Sequence, residues 1–146
     1  MKGIKMDEVI INIKSQITSD DTSEIEFTSI GKMARHNGKW CVYYNESEQM
    51  SEDTKTVLKV YDDGVVKIIR SGGNNSRLVL EKGKRYSSQY ETDVGSLNIA
   101  INTNDVVFDI DENGGCVHLD YSVDINAGFV SKNAVDITIR KENKNV

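Results

Sequence analysis

Asn37-Gly38, Asp63-Gly64 and Asn113-Gly114 punctuate this chain, each flanked by β-branched or aromatic residues. An Asn-Gly or Asp-Gly pair supplies the positive φ angles that a two-residue hairpin turn demands, so each marks a reversal of one strand into the next. Gly72-Gly73-Asn74-Asn75, Lys82-Gly83, Val94-Gly95 and Ala127-Gly128 add further breaks. There is no proline among the 146 residues, and no segment sustains a helical period. Turn chemistry at this density directs the chain toward short antiparallel strands.

The segments between the turns have strand length: 8–18, 24–35, 39–45, 54–61, 65–70, 77–81, 85–92, 96–102, 106–110, 116–126 and 134–141. In the first, Val9, Ile11 and Ile13 alternate with Ile10, Asn12 and Lys14. In the last, Val135, Ile137 and Ile139 alternate with Asp136, Thr138 and Arg140. That period of two belongs to half-buried antiparallel strands. Many such strands leave two solutions, a sandwich or a closed meander barrel. Consecutive tight turns favour neighbour-to-neighbour pairing, and closure removes exposed edges, so the expectation is an all-β, closed antiparallel meander barrel. Nothing marks an internal boundary, and residues 1–146 read as one domain.

Charge and cysteine content narrow the function classes. With 23 acidic against 18 basic side chains, no general attraction to nucleic acid or to an anionic membrane is expected. MKGIKMDEVIINIK holds no apolar run of signal-peptide length, and nothing approaches the roughly 20 apolar residues of a membrane-spanning helix, so the expected location is the cytoplasm. Cys41 and Cys116 lack ligand-like spacing and read as reduced thiols. Neither a metal site nor a cofactor is expected.

One constellation has the look of an enzyme. In CVHLDYSVDI, Cys116, His118 and Asp120 share a strand face with Ser122 and Asp124, as a nucleophile with its base or a set of metal ligands would. Successive same-face residues are about 7 Å apart, too far for direct hydrogen bonds, and the opposite face is apolar throughout. The polar face therefore reads as solvated, and no catalytic residue is assigned. GGNN lacks the lysine and hydroxyl of a phosphate-binding loop. Basic clusters at Arg35, His36, Lys39 and Trp40, and at Lys82, Lys84 and Arg85, read as strand-end charges, so no nucleic acid partner is expected.

Polar residues in phase with apolar ones are more informative. Trp40, Val42, Tyr44 and Glu46 share a face, as do Val66, Ile68 and Arg70, and again Tyr86, Ser88, Tyr90 and Thr92; Tyr121 lies in its strand's apolar stripe. If these faces point inward, the interior holds Tyr44, Glu46, Arg70, Tyr90, Thr92 and Tyr121, with Trp40 near a mouth. Two outcomes stay open. Arg70 and Glu46 can plug the barrel as an internal ion pair, or the polar groups can orient a ligand bearing a carboxylate or carbonyl.

YYNES, TVLKV, IIRSG, RLVLEKG, QYETDVGSLNIAINT and LDYSVDIN together resemble the YwiB-like family, a group of uncharacterised bacterial β-barrels, from about Glu8 to Ile139. Tyr44 with Glu46, Arg70 with Gly72, Tyr90 with Thr92 and Gly95, and Thr103 carry the resemblance most clearly. Asp93-Val94 departs from the pattern, which places a proline after the threonine. The resemblance implies a calycin-like barrel, related in shape to lipocalins and fatty-acid-binding proteins, and supplies no function. The expected function is a non-enzymatic binding module for a small, partly apolar or carboxylate-bearing ligand. The alternative is a solid barrel acting as a protein-interaction or regulatory module through its outer hairpins and the loop 45–53.

Overall fold

A computed structural model describes residues 5–45, 54–72, 76–93 and 95–142, with positions 90–92 described by their backbone alone. Its ten strands are β1 (Asp7–Thr18), β2 (Thr22–His36), β3 (Lys39–Asn45), β4 (Thr54–Tyr61), β5 (Val66–Gly72), β6 (Ser76–Leu80), β7 (Arg85–Thr92), β8 (Gly95–Asp111), β9 (Gly114–Ile125) and β10 (Gly128–Lys141). They form one antiparallel sheet in the order β6-β5-β4-β3-β2-β1-β10-β9-β8-β7, so every strand lies beside its chain neighbour except at β6 and β7. The sheet curls into a nearly closed meander barrel, the all-β architecture that the turn chemistry predicts.

Two hairpins show how local chemistry sets this path. Asn37 and Gly38 both take positive φ, at 47° and 74°, and pass β2 directly into β3 with His36 opposite Lys39. Asn126 and Ala127 do the same between β9 and β10, at 51° and 68°, although an alanine gains nothing from that conformation. Gly64 also has positive φ, but its loop is wider, closed by bonds from the Tyr61 amide to the Val65 carbonyl and from the Gly64 amide to the Tyr61 carbonyl.

The segments 96–102 and 106–110, expected as separate strands, are one strand, β8. Its register shifts between Thr103, opposite Tyr121, and Asp105, opposite Asp120, leaving Asn104 as a bulge. The extra residue puts Thr103 and Val106 on the same face although they are three apart, which interrupts the period of two and imitates a break.

The inner face carries the expected aliphatic series. Val9, Ile11 and Ile13 of β1, Val42 of β3, Leu58 and Val60 of β4, Val66 of β5, Leu80 of β6, Val117 and Leu119 of β9, and Ile137 and Ile139 of β10 are all buried in one cluster. This cluster fills much of the interior, as is usual for a narrow barrel.

β6 and β7 are joined by the turn at 81–84, yet among the described residues they form no ladder: β6 pairs with β5, and β7 with β8. The turn that joins them is tied to β8, where the Gly83 amide donates to the Thr103 carbonyl at 2.8 Å and the Thr103 amide donates to the Lys84 carbonyl at 3.1 Å. Further along, no ladder joins the two edges among the described residues.

Candidate functional site

Register decides which polar residues meet inside the barrel. Tyr44 lies opposite Thr56, Thr56 opposite Arg70, and Arg70 opposite Ser76, forming one transverse row across β3, β4, β5 and β6. On the other wall Asn133 lies opposite Tyr121, and Tyr121 opposite Thr103, across β10, β9 and β8. Each of these positions is in phase with a buried aliphatic residue two further along: Tyr44 with Val42, Thr56 with Leu58, Arg70 with Ile68, Tyr121 with Leu119, and Asn133 with Val135. One end of the interior is therefore polar, while the rest is hydrocarbon.

The groups at this end act on one another. Burial pushes the Tyr121 phenol above the usual tyrosine range, because the phenolate would be poorly solvated there, and the positive charge of Arg70 pulls it partway back. The Tyr44 ring packs against Phe27 of β2 with centroids 6.5 Å apart. Asn133 Nδ2 donates to Ser131 Oγ at 3.0 Å, and both residues are buried.

Three hydroxyls here have no such satisfaction. The side-chain oxygens of Thr54, Ser76 and Thr103 are buried, and none finds a hydrogen-bond partner among the described residues. Thr54 is wholly buried and Thr103 is only 3% exposed. Most buried polar atoms in folded proteins are paired, so each of these three calls for a physical reason.

Beside them the seam opens into a cleft of about 290 Å³, lined by Arg77, Leu78 and Val79 of β6, Tyr86, Ser87 and Ser88 of β7, and Ile99 and Ile101 of β8. Leu78 is the next inner residue along β6 from Ser76, and Ile101 the next along β8 from Thr103. The cleft is thus apolar where it borders the barrel's hydrocarbon, and Ser76 and Thr103 lie outside its lining, at opposite ends of the seam. Tyr86, inward by register, is 38% exposed and donates its hydroxyl to Glu81 Oε1 at 2.7 Å.

Of the residues predicted from sequence, Tyr44, Arg70 and Tyr121 come together in this interior. Tyr90 and Thr92 pair by backbone with Leu97 and Gly95, in phase with Ser88; their side chains lie outside the described residues, as do Glu46 and the loop residues 46–53. Trp40 is elsewhere: four residues before Tyr44 on β3, about 13 Å along the strand. It lines a recess of about 690 Å³ at the opposite end of the barrel, with Met33, Ile110, Asp62 and Lys141 among its neighbours. There the Arg35 guanidinium sits 5.2 Å from the Trp40 ring centroid and forms a two-point ion pair with Asp62, whose carboxyl it holds below the usual range.

Thr54, Thr56, Ser76 and Asn133 were not singled out from sequence, and Thr103 entered only through the family resemblance. The signal was present, because Thr54 and Thr56 alternate in phase with Leu58 and Val60, and Asn133 with Val135 and Ile137.

Cys116, His118 and Asp120 do not converge. They sit on the outer face, with Cys116 exposed, and His118 Nδ1 engages Asp136 Oδ1 of β10 at 2.7 Å, a partner that is neither of the other two. Among the described residues no group of three or more His, Cys, Asp or Glu side chains could hold a metal ion. No helix among them is long and apolar enough to cross a membrane.

Fold and interior together define a nearly closed antiparallel barrel with a polar end. Residues 11–137 match the family described as a domain of unknown function, DUF1934, and the chain belongs to that family. It is 27% identical over 135 residues to the uncharacterized beta-barrel protein YwiB of Bacillus subtilis (strain 168), covering 92% of each chain. The crystal structure of the ywiB protein from Bacillus subtilis superposes with a TM-score of 0.80 at 25% identity, covering 96% of each chain.

Proposed function

We propose that this barrel is a cytoplasmic, non-enzymatic binding module that holds a small, partly apolar ligand at the polar end of its interior. The observation that carries the reading is the set of unpartnered buried hydroxyls of Thr54, Ser76 and Thr103 beside Arg70 and Tyr121. A buried hydroxyl left unpaired costs about 1–3 kcal/mol, and a ligand bearing a carboxylate or carbonyl offsets that cost by supplying acceptors. The adjoining cleft, with Leu78, Ile99 and Ile101, receives the ligand's apolar part; its volume is at the small end for ligand sites. The calycin-like architecture implied by family resemblance is in keeping with an interior site, though fold alone does not assign a function. Neither nucleic acid nor membrane enters this reading.

Native mass spectrometry of the protein purified from its own cells tests it. The expected spectrum contains a non-covalent adduct of small-molecule mass, which Arg70→Leu diminishes. A spectrum of bare protein alone, under conditions that preserve a control complex of known affinity, would count decisively against the reading.

A second reading, a protein-interaction or regulatory module acting through the outer hairpins and the loop 45–53, draws on a different feature. Ile30 is 63% exposed and borders an outer recess of about 640 Å³ with Tyr43 and Val57. Here a specific partner captured from cell extract should be lost on Ile30→Asp and kept by Arg70→Leu; the reverse pattern removes this second reading.

A further inference from the structure

Charge is sorted around the barrel by strand. β3, β4, β5 and β6 hold six basic residues, Lys39, Lys55, Lys59, Lys67, Arg70 and Arg77, and not one aspartate or glutamate. All but Arg70 face outward, out of phase with the buried Val42, Leu58, Val66 and Leu80. β8 and β9 hold five carboxylates, Asp105, Asp109, Asp111, Asp120 and Asp124, and no lysine or arginine. β4 and β9 lie five places apart in a curled sheet of ten strands, so a cationic wall stands opposite an anionic one. On a chain of net charge −5 the cationic wall is a local reversal of sign.

Register sharpens the reversal. Lys59 of β4 lies directly opposite Lys67 of β5, and both are half-exposed on the same face. Like charges facing each other across two strands cost stability, and among the described residues no carboxylate forms an ion pair with either. The Lys67 and Lys39 ammonium groups lean on the Tyr61 ring, 5.1 and 5.5 Å from its centroid, which spreads the charge without neutralising it. Lys32 of β2 and Lys55 of β4 likewise have no ion pair among the described residues, and they border the outer recess of about 640 Å³. The apolar part of that recess is Tyr43, Val57 and Ile30, the last 63% exposed, and Glu8 is the one carboxylate among the described residues that line it. An apolar recess is thus joined to cations that the protein leaves without counter-charge.

We infer that the outer face of β2 to β5 docks an acidic segment of another protein, one in which carboxylates flank an apolar side chain. The apolar side chain enters the recess over Ile30, Tyr43 and Val57. The carboxylates lie against Lys32 and Lys55 at its borders and between Lys59 and Lys67 beyond it, where they remove the repulsion that the bare sheet carries. The inference is independent of the interior site; it rests on the second reading and names the chemistry of that partner.

The same face suits other occupants less well. Single-stranded nucleic acid needs aromatic rings free for stacking, whereas Tyr61 already holds two ammonium groups and Tyr43 is half-buried and engages the Cys41 thiol. An anionic bilayer takes up groups that protrude into it and leaves a recess unfilled. A second copy would have to bring its anionic wall to this cationic one, and because the two walls stand on opposite sides of the barrel, that contact repeats without closing.

The test uses the full chain and a dye-labelled peptide whose central leucine is flanked on both sides by glutamates and aspartates, with binding followed by fluorescence anisotropy. Affinity should fall steeply as salt rises. Lys59→Glu combined with Lys67→Glu should weaken binding by at least about tenfold, as should Ile30→Asp, while Arg70→Leu leaves it unchanged. Circular dichroism verifies that each variant is folded. Lys67→Glu alone places a carboxylate opposite Lys59 and should raise the urea midpoint of the free protein while lowering peptide affinity, a combination that a purely structural role for Lys67 does not give. Absence of peptide binding, unaltered affinity in the double variant, or tighter binding of oligothymidylate or of phosphatidylserine vesicles overturns the inference. Growth of the free protein with concentration in low-salt sedimentation, abolished by the double variant, assigns the face to a second copy and also overturns it. A partner captured from cell extract that Ile30→Asp loses and the double variant keeps overturns the acidic-segment assignment and leaves the second reading standing; a partner kept by both variants removes the two together.

Discussion

Arg70 on β5 acts electrostatically on the phenol of Tyr121 on β9, although neither strand is a neighbour of the other in the sheet. This relationship across the barrel is possible because both side chains occupy inner positions at the same end, where the aliphatic packing gives way to polar groups. It is also what makes that end testable as a unit.

The first prediction follows from the sign of the Tyr121 shift. Its pKa is raised in the folded protein, so folding favours the neutral phenol; this stabilisation is complete below the unfolded tyrosine value near 10 and is lost as pH rises through the folded value. Removing the Arg70 charge takes away the opposing influence. In Arg70→Met the Tyr121 ionisation, followed by ultraviolet difference absorption against Tyr121→Phe, should move further upward. A downward or absent change would break the link between the two residues.

Unpaired hydroxyls make a second prediction, in which stability and binding move in opposite directions. Thr103→Val and Thr54→Val replace a buried hydroxyl with a methyl of nearly the same shape and remove a desolvated group that finds no protein partner. Urea unfolding of ligand-free protein should show each variant to be as stable as the parent or more stable, by up to about 1–3 kcal/mol, while the small-molecule adduct retained in native mass spectrometry diminishes. Destabilisation beyond about 1 kcal/mol would mean that the hydroxyls are structurally satisfied.

The third prediction concerns the β9–β10 turn, where Ala127 holds φ at 68°. Ala127→Gly relieves a conformation disfavoured by a Cβ and should raise stability by roughly 0.5–1 kcal/mol, net of the entropy that glycine adds to the unfolded chain. A fall in the urea midpoint would argue against the left-handed conformation of this residue.

That turn also illustrates what sequence disclosed and what it concealed. Ala127-Gly128 signalled a break, and Asn37-Gly38 located its hairpin to the residue, because positive φ is a local demand that specific residue types meet. The period of two on β1 and β10 gave the inner face, and the same phase placed Tyr44, Arg70 and Tyr121 on it. The bulge at Asn104 was concealed because a single inserted residue breaks the period as a turn would. The seam was concealed for another reason: whether β6 and β7 pair depends on the curvature of the whole sheet, which no local pattern in SRLVL or RYSSQY encodes. Tyr86 shows the effect, since it has the phase of a core residue and a partner in Ile101 of β8 but no ladder to β6 on its other side, and its hydroxyl donates to Glu81.

The central claim is that the polar end of the barrel is a binding site and not a self-satisfied plug. A crystal structure of protein purified from its own cells tests this most directly, through the electron density in the region around Arg70, Tyr121, Thr103 and Ser76. The account predicts continuous density of a small molecule, its polar end within hydrogen-bond distance of at least two of these side chains and its remainder against Leu78 and Ile101. Protein side chains filling that space and pairing every hydroxyl would contradict it.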